Sequence, residues 1–168
     1  MYDQNKAHYI VVTGIIVRNG KFLITKRADW EKAFPGRWTV PGGKLEESDY
    51  TSRDKDTEHH WYNVLEDVLK RELKEEVNLE IKNIGYVTSL VYIRPDGIPC
   101  LIASLFAEPK DESVDIKLCD ALSEFVWVDL EEAKKYDLIE GIYDELTILD
   151  GFLKSGKHMD WKGPSRTF

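Results

Sequence analysis

The chain has 168 residues, enough for one domain with a full core and short for two. Hydrophobic residues make up 42% and charged residues 32%, which excludes a disordered or fibrous chain. With 23 basic and 31 acidic residues the formal net charge is −8, which argues against a protein that coats nucleic acid or a membrane surface. Any phosphorylated ligand would have to be brought in by metal ions.

The opening "MYDQNKAHYIVV" lacks the charged-then-apolar pattern of a leader, and no apolar run is long enough to span a bilayer. Cys100 and Cys119 form no CxxC or Cys/His cluster, so a reducing, cytoplasmic setting is expected. "HYIVVTGIIV" (8–17) and "KFLIT" (21–25) are β-branched runs joined by "RNG", a hairpin signal. A loop (26–38) leads to a short extended piece and "PGGK" (41–44). Residues 45–57 are polar and lack periodicity, which predicts an exposed loop, and a long helix is expected over about 58–77. Two strands (84–93 and 98–107) flank "RPDG", a turn sequence. A looser acidic stretch precedes the strand "EFVWV" (124–128). Asp129 is the expected N-cap of a helix opening "LEEAKKY", and a last amphipathic helix covers 139–154. The tail (155–168) is expected to be loosely held, and no linker or repeat is visible. Strands, helix, strands, then helices imply an α+β or mixed α/β fold in a single domain.

The stretch "RELKEEVNL" (71–79) puts Glu72, Glu75 and Glu76 within about one helical turn, where like charges cost roughly 0.2–0.5 kcal/mol per pair. On a helical wheel with Val64 at zero, Leu65, Val68, Leu69, Leu73 and Val77 fall at about 100°, 40°, 140°, 180° and 220°. Asp67, Lys70 and Lys74 occupy the opposite face at about 300°, 240° and 280°. Glu72, Glu75 and Glu76 come out at about 80°, 20° and 120°, along the apolar stripe and away from the lysines. Carboxylates facing protein must be paired, protonated or bound to a metal. Arg71 is the one nearby cation, at i,i+4 from Glu75. One guanidinium does not neutralise three acids; a hard divalent cation with oxygen ligands does.

"GGKLEE…RELKEEVNL" resembles the Nudix box. Gly43, Glu46, Arg71, Glu72, Leu73, Glu75, Glu76 and Leu79 match its pattern, and the likeness extends over roughly 8–153. The resemblance implies an α/β/α sandwich with a mixed β-sheet. It further implies Mg²⁺- or Mn²⁺-dependent hydrolysis of a diphosphate bond in a nucleoside diphosphate linked to another group, either a nucleoside triphosphate or a nucleotide-sugar or ADP-ribose type. Carried over residue by residue, Glu72, Glu75 and Glu76 are expected metal ligands, with the Gly42 carbonyl beside them. Glu72 or Glu75 is expected to accept a proton from the attacking water, and Arg71 to orient Glu75.

Two departures stand out. Asn78 replaces the glycine at the helix end, which suits a left-handed cap. Gly43 and Arg71 are 28 positions apart where the family pattern has 14, so 14 extra residues fall within about 49–63. The mid-box acid is then Asp49 if the insertion follows it, or Asn63 holds that place if the insertion precedes it. Arg27 is expected at a phosphate or in a surface ion pair, Trp38 on a base or in packing, and Glu124 or Asp120 as an added acid. His59, His60, Trp61 and Tyr62 mark the helix entrance, as a hydrophobic staple or for substrate recognition. Pro95 falls where ADP-ribose hydrolases of the family carry a proline but also sits in the Pro-Asp-Gly turn. The C-terminal helices contain no asparagine, so the Asn-based base recognition of some oxidised-guanine hydrolases finds no match. The expected partner is a small nucleotide diphosphate, with no nucleic acid or membrane, and a homodimer is left open. Two other classes share the fold: a non-catalytic nucleotide-binding or regulatory module, against which the three retained acids weigh, and a diphosphate isomerase, which would need a cysteine ahead of the box.

Overall fold

The first hairpin founds the sheet. In the computed structural model, which describes residues 3–163, strands β1 (Tyr9–Arg18) and β2 (Lys21–Arg27) are joined by Asn19 and Gly20. Both turn residues have positive φ (52° and 72°), the geometry whose twist matches the flanking strands. β3 (Trp38–Thr39) and β4 (Gly42–Lys44) follow, then α1 (Ser48–Thr51), α2 (Val64–Val77), β5 (Ile81–Ile93) and β6 (Pro99–Pro109). β7 (Leu122–Val128), α3 (Leu130–Ala133) and α4 (Ile142–Ser155) complete the order.

Seven strands form one mixed sheet with the path β3-β2-β1-β6-β5, while β4 pairs with β1 and β7 with β2. β1 and β6 run parallel and the other ladders antiparallel. Because β1 is flanked by β6 on one side and β4 on the other, Thr13 lies between Ser104 and Gly42. Side chains alternate between faces, so each face buries its own core. On one face Val12, Ile16, Leu105 and Ala107 meet Val68, Leu69, Leu73 and Val77 of α2. On the other, Ile15, Phe22, Ile24 and Val87 meet Ile142, Leu146 and Leu149 of α4. This is the three-layer α/β/α arrangement with a mixed sheet that the resemblance implies.

Both expected hairpins are present, the second closed by the Gly97 N–H donating to the Arg94 carbonyl at 2.8 Å. Asp129 caps α3 in a reciprocal capping box with Glu132, and Asn78 ends α2 at φ 58° with the Leu79 N–H reaching back to the Leu73 carbonyl. Three expectations are corrected. α2 begins at Val64, not near 58, because Asn63 takes a left-handed φ of 55° and residues 56–62 are tied in a loop. In that loop the Asp56 carboxylate accepts from the Tyr62 N–H, and the Thr57 hydroxyl accepts from the His60 N–H. The polar stretch 45–57 contains the one-turn helix α1. The tail is not wholly loose: His158 donates to the Val87 carbonyl at 2.9 Å and stacks on Tyr86, and the Trp161 indole donates to Asp144. Residues 164–168 of that segment lie outside the described residues.

Residues 50–63 form a clasp. Arg53 pairs with Asp56 (2.7 Å) and Asp67 (3.3 Å) and donates to the Tyr62 carbonyl, while Tyr50 packs on Trp61 with centroids 5.3 Å apart. His60 and Trp61 are thus used inside the clasp, and Tyr62 is exposed.

The fit of α2 on the sheet depends on Gly14, where an added Cβ would press on Leu69. Leu69→Ala should cost about 2–5 kcal/mol in urea unfolding. Gly14→Ala should destabilise the parent but cost little in the Leu69→Ala background, a non-additivity that a double-mutant cycle would read.

Candidate active site

The sheet, a glycine turn and α2 converge on the glutamates. β4 brings Gly42 and Gly43 against the edge of β1, and Gly42 needs to be glycine because a Cβ there would meet the Val12 carbonyl and Thr13 Cα. A Cβ on Gly43 would collide with the Glu72 carboxylate, so this glycine leaves room for an acid.

Arg71 is the hub of the charges. Its guanidinium is bidentate on Asp49 (2.5 and 3.1 Å), shares Nη1 between Glu72 (2.8 Å) and Glu75 (3.2 Å), and donates from Nη2 to the Lys44 carbonyl (3.0 Å). The Asp49 side chain is only 2% exposed, and its pKa is held below the usual range by the Arg71 hydrogen bonds. Sequence alone left the mid-box position open between Asp49 and Asn63. The structure brings Asp49 to Arg71 and leaves Asn63 at the start of α2 without a side-chain capping bond.

The three glutamates occupy different surroundings. Glu76 is the most enclosed and accepts a hydrogen bond from the Gly42 N–H at 2.9 Å; burial pushes its pKa up to about 7, against the pull of that bond. Glu72 is also raised, first by burial and then against the attraction of Arg71. Glu75, expected along the apolar stripe, has a side chain that is 59% exposed. The reason is the true centre of the stripe, which Val68, Leu69, Leu73 and Val77 set at about 160°, leaving Glu75 about 140° away and Glu76 only about 40°. The carboxylates do not converge on one point as expected. Among the described residues no three His, Cys, Asp or Glu side chains stand at metal-holding spacing, because Glu72 and Glu75 turn to Arg71 and Glu76 to Gly42.

The outlying expectations fare differently. Arg27 pairs with Glu31 (2.8 Å) and donates to the Ala33 carbonyl (2.6 Å), holding the loop between β2 and β3. Trp38 is 9% exposed, packed edge-on against Tyr136 at 4.7 Å in the core beneath α4, so its ring faces protein and the base-stacking role finds no open surface. Glu124 lies within β7, in a cross-strand pair with Lys26 (2.7 Å). Asp120 is exposed on the loop before β7, and Pro95 serves the 94–97 turn. Cys100 is buried in β6. Sequence reasoning did not single out Glu31 and Glu145: the first needed the loop to fold back on Arg27, and the second is a charged residue inside an amphipathic helix pattern.

Two measurements check this electrostatic picture. Asp49→Asn should cost about 1.5–3 kcal/mol at neutral pH. Because the folded pKa of Asp49 is lowered, the difference from parent should be present above the ordinary aspartate range and vanish as pH falls through the depressed value. Glu76 has the opposite sign. Its folded pKa is raised, so its favourable balance is complete below about 4.5 and is lost as pH rises through about 7. In chelator-containing buffer Glu76→Gln should match the parent at acid pH and exceed it above neutrality by up to roughly 3 kcal/mol, read by urea titration across pH.

Comparisons with known proteins bear on the family and on the fold. The NUDIX domain model matches residues 8–147. The nucleoside triphosphatase NudI of Salmonella newport is 25% identical over 142 residues, covering 76% of this chain and 86% of that protein. Among solved structures, a MutT NUDIX hydrolase from Burkholderia pseudomallei superposes with a TM-score of 0.65 at 19% identity, covering 84% of this chain and 98% of its own. The NUDIX domain of Shewanella oneidensis NrtR, crystallised with ADP ribose, superposes at 0.62 and 18% identity, covering 93% and 94%. At these identities the two structures speak to the fold. The family follows from the domain model: with residues 8–147 matched, the chain belongs to the Nudix hydrolase superfamily and is a pyrophosphohydrolase.

Proposed function

We propose that the chain hydrolyses a diphosphate linkage in a nucleoside diphosphate bonded to a further group, with nucleoside triphosphates and nucleotide-sugar or ADP-ribose types as the substrate class, in a reaction that needs Mg²⁺ or Mn²⁺. The observation that carries this reading is the pair of enclosed carboxylates, Glu72 and Glu76, at a glycine turn whose one engaged cation, Arg71, is already shared among three acids.

In donor type the residues suit a hard divalent cation, although in this structure their side chains turn to Arg71 and Gly42. Every donor on offer is an oxygen: the carboxylates of Glu72, Glu75 and Glu76 and the carbonyl of Gly42. A Glu76 carboxyl poised near pH 7 gives up its proton readily when positive charge faces it. When bound, the cation would neutralise phosphate charge and lower the pKa of a coordinated water. Arg71 acts as a positioning residue: it sets the rotamers of Glu72 and Glu75 and, through Asp49 and the Lys44 carbonyl, fixes the glycine turn relative to α2. Glu75, solvent-facing and tethered at 3.2 Å, is placed to accept a proton from an attacking water, with Glu72 the other candidate. Arg27 contributes by holding the loop over residues 28–37.

NudI is named a nucleoside triphosphatase, and the NrtR domain is complexed with ADP ribose; both support a nucleotide as ligand. The test is a panel of nucleoside triphosphates, nucleotide sugars and ADP-ribose incubated with Mg²⁺, with products separated by ion exchange. Hydrolysis should cease in excess chelator. Glu75→Gln and Glu76→Gln should each lower kcat by about 100-fold or more while the fold persists. Turnover that persists in chelator would remove the metal reading, and tight nucleotide binding with no turnover would favour a binding module.

A further inference from the structure

β5 ends the sheet path, and among the described residues no strand lies along its outer edge. An open edge carries unpaired N–H and C=O groups, which proteins defend with bulges, charge or a covering segment. The first half of β5 is defended in this way. Its pairing with β6 is interrupted between Lys82 and Gly85 and again between Tyr86 and Thr88, and the Val87 carbonyl accepts a hydrogen bond from His158 of the tail. The second half has no such defence. From Thr88 to Ile93 the register with β6 is unbroken, and the run from Ile84 to Ile93 holds no charged residue in a chain that is 32% charged.

The hairpin fixes which backbone groups are open. The Arg94 N–H donates to the Ile98 carbonyl, so that pair is hydrogen-bonded, and every second residue back along the antiparallel ladder turns its backbone groups to β6 in the same way. Tyr92, Leu90 and Thr88 therefore face inwards. Ser89, Val91 and Ile93 face outwards, in phase with the Val87 carbonyl that His158 takes. Val91 stands directly opposite Leu101, on the sheet face where Leu105 and Ala107 lie under α2, but α2 does not reach this row. Val91 is 53% exposed, Ile93 63% and Leu101 37%. An open backbone ladder beside an apolar strip calls for a strand of the same character, and every copy of this chain carries one.

We propose that residues 89–93 pair antiparallel with the same residues of a second copy, about a two-fold axis at Val91, so that two sheets join edge to edge. With the axis there, Val91 meets Val91 and Ser89 meets Ile93, and each outward-facing residue exchanges both of its backbone bonds with its counterpart. An axis at Leu90 would instead set Ile93 opposite Val87, whose carbonyl His158 occupies. The 94–97 turn closes the open stretch at one end and the docked tail closes it at the other, which centres it on Val91. The apolar strips of Val91, Ile93 and Leu101 then merge across the junction. Charge favours the same edge: two molecules of net charge −8 repel, and an uncharged edge is where they approach with least penalty. So short a pairing belongs with interfaces below about 1,200 Å², and a reversible dimer with a Kd on the order of 10 µM is expected.

The test is the oligomeric state of the full chain. Sedimentation equilibrium should show a monomer–dimer equilibrium that tightens as salt rises from about 0.05 to 0.5 M, because screening relieves the net repulsion. Val91→Lys sets two like charges face to face on the axis and should weaken association by about tenfold or more. Val91→Glu should do the same. Because the side chain is exposed, neither change should alter thermal unfolding at concentrations where the parent is monomeric. An equimolar mixture of the two variants should regain the dimer, since Lys then faces Glu across the axis; an interface that did not bring Val91 against its own copy would give no such rescue. Leu153→Lys, at an exposed position of α4, should associate as the parent does. A parent that stays monomeric at about 0.5 mM, well above the expected Kd, overturns the proposal. So does a dimer undiminished by Val91→Lys, or a mixture that associates no better than its components. None of these measurements involves nucleotide or metal, so their outcome is separate from that of the hydrolase reading.

Discussion

The arrangement of the site depends on one guanidinium. Arg71 joins Asp49 of α1, the β4 carbonyl of Lys44 and two glutamates of its own helix, so three elements share one rigid charge. A lysine would not do this, because the planar fork allows two bonds to Asp49 while Nη1 still faces Glu72 and Glu75. Burial of Asp49 strengthens the link: a carboxylate almost out of water has no alternative partner, and a buried pair is costly to break from either side.

Around that hub the backbone approaches side chains closely. Gly42 lies against β1, Gly43 against the Glu72 carboxylate and Gly14 beneath Leu69. Each glycine removes a Cβ at the point where α2 and the β4 turn must meet, and α2 supplies the compensating aliphatic burial through Val68, Leu69, Leu73 and Val77. The same helix therefore stabilises the fold with one stripe and carries destabilising charge beside it. This is a common compromise in active sites, where charge is held ready for a ligand at the expense of the free protein.

Acids are enclosed on both faces of the sheet. Glu72 and Glu76 approach the glycine turn from α2, and Glu145 lies under α4 beside Ser104; burial raises all three pKa values. Thr13 and Gly42, adjacent in the ladder, connect the two groups over about one strand spacing. The clasp formed by residues 50–63 stands apart from this line. Arg53 ties it to Asp67 on the outer side of α2, which lets the chain leave Asp49 and return at Val64 without disturbing the Arg71 contacts.

By itself the sequence determined what local chemistry decides. The Asn19-Gly20 turn, the Arg94–Gly97 turn, the Asp129 cap and the Asn78 end of α2 follow from backbone preferences that act over four or five residues. The acid-rich motif at 71–79 was equally legible, as was the placing of Glu72 and Glu76 on the inner side of α2, since helical periodicity is a short-range property. Tertiary structure decided the rest. Only the return of the chain over 50–63 selects Asp49 as the partner of Arg71, only the packing of Leu69, Leu73 and Val77 turns Glu75 out to solvent, and only the core under α4 encloses Trp38. Glu145 shows the limit most clearly: a glutamate in a helix reads as solvent-facing until the sheet beneath it is known, because burial is a property of the assembled layers and not of the residue.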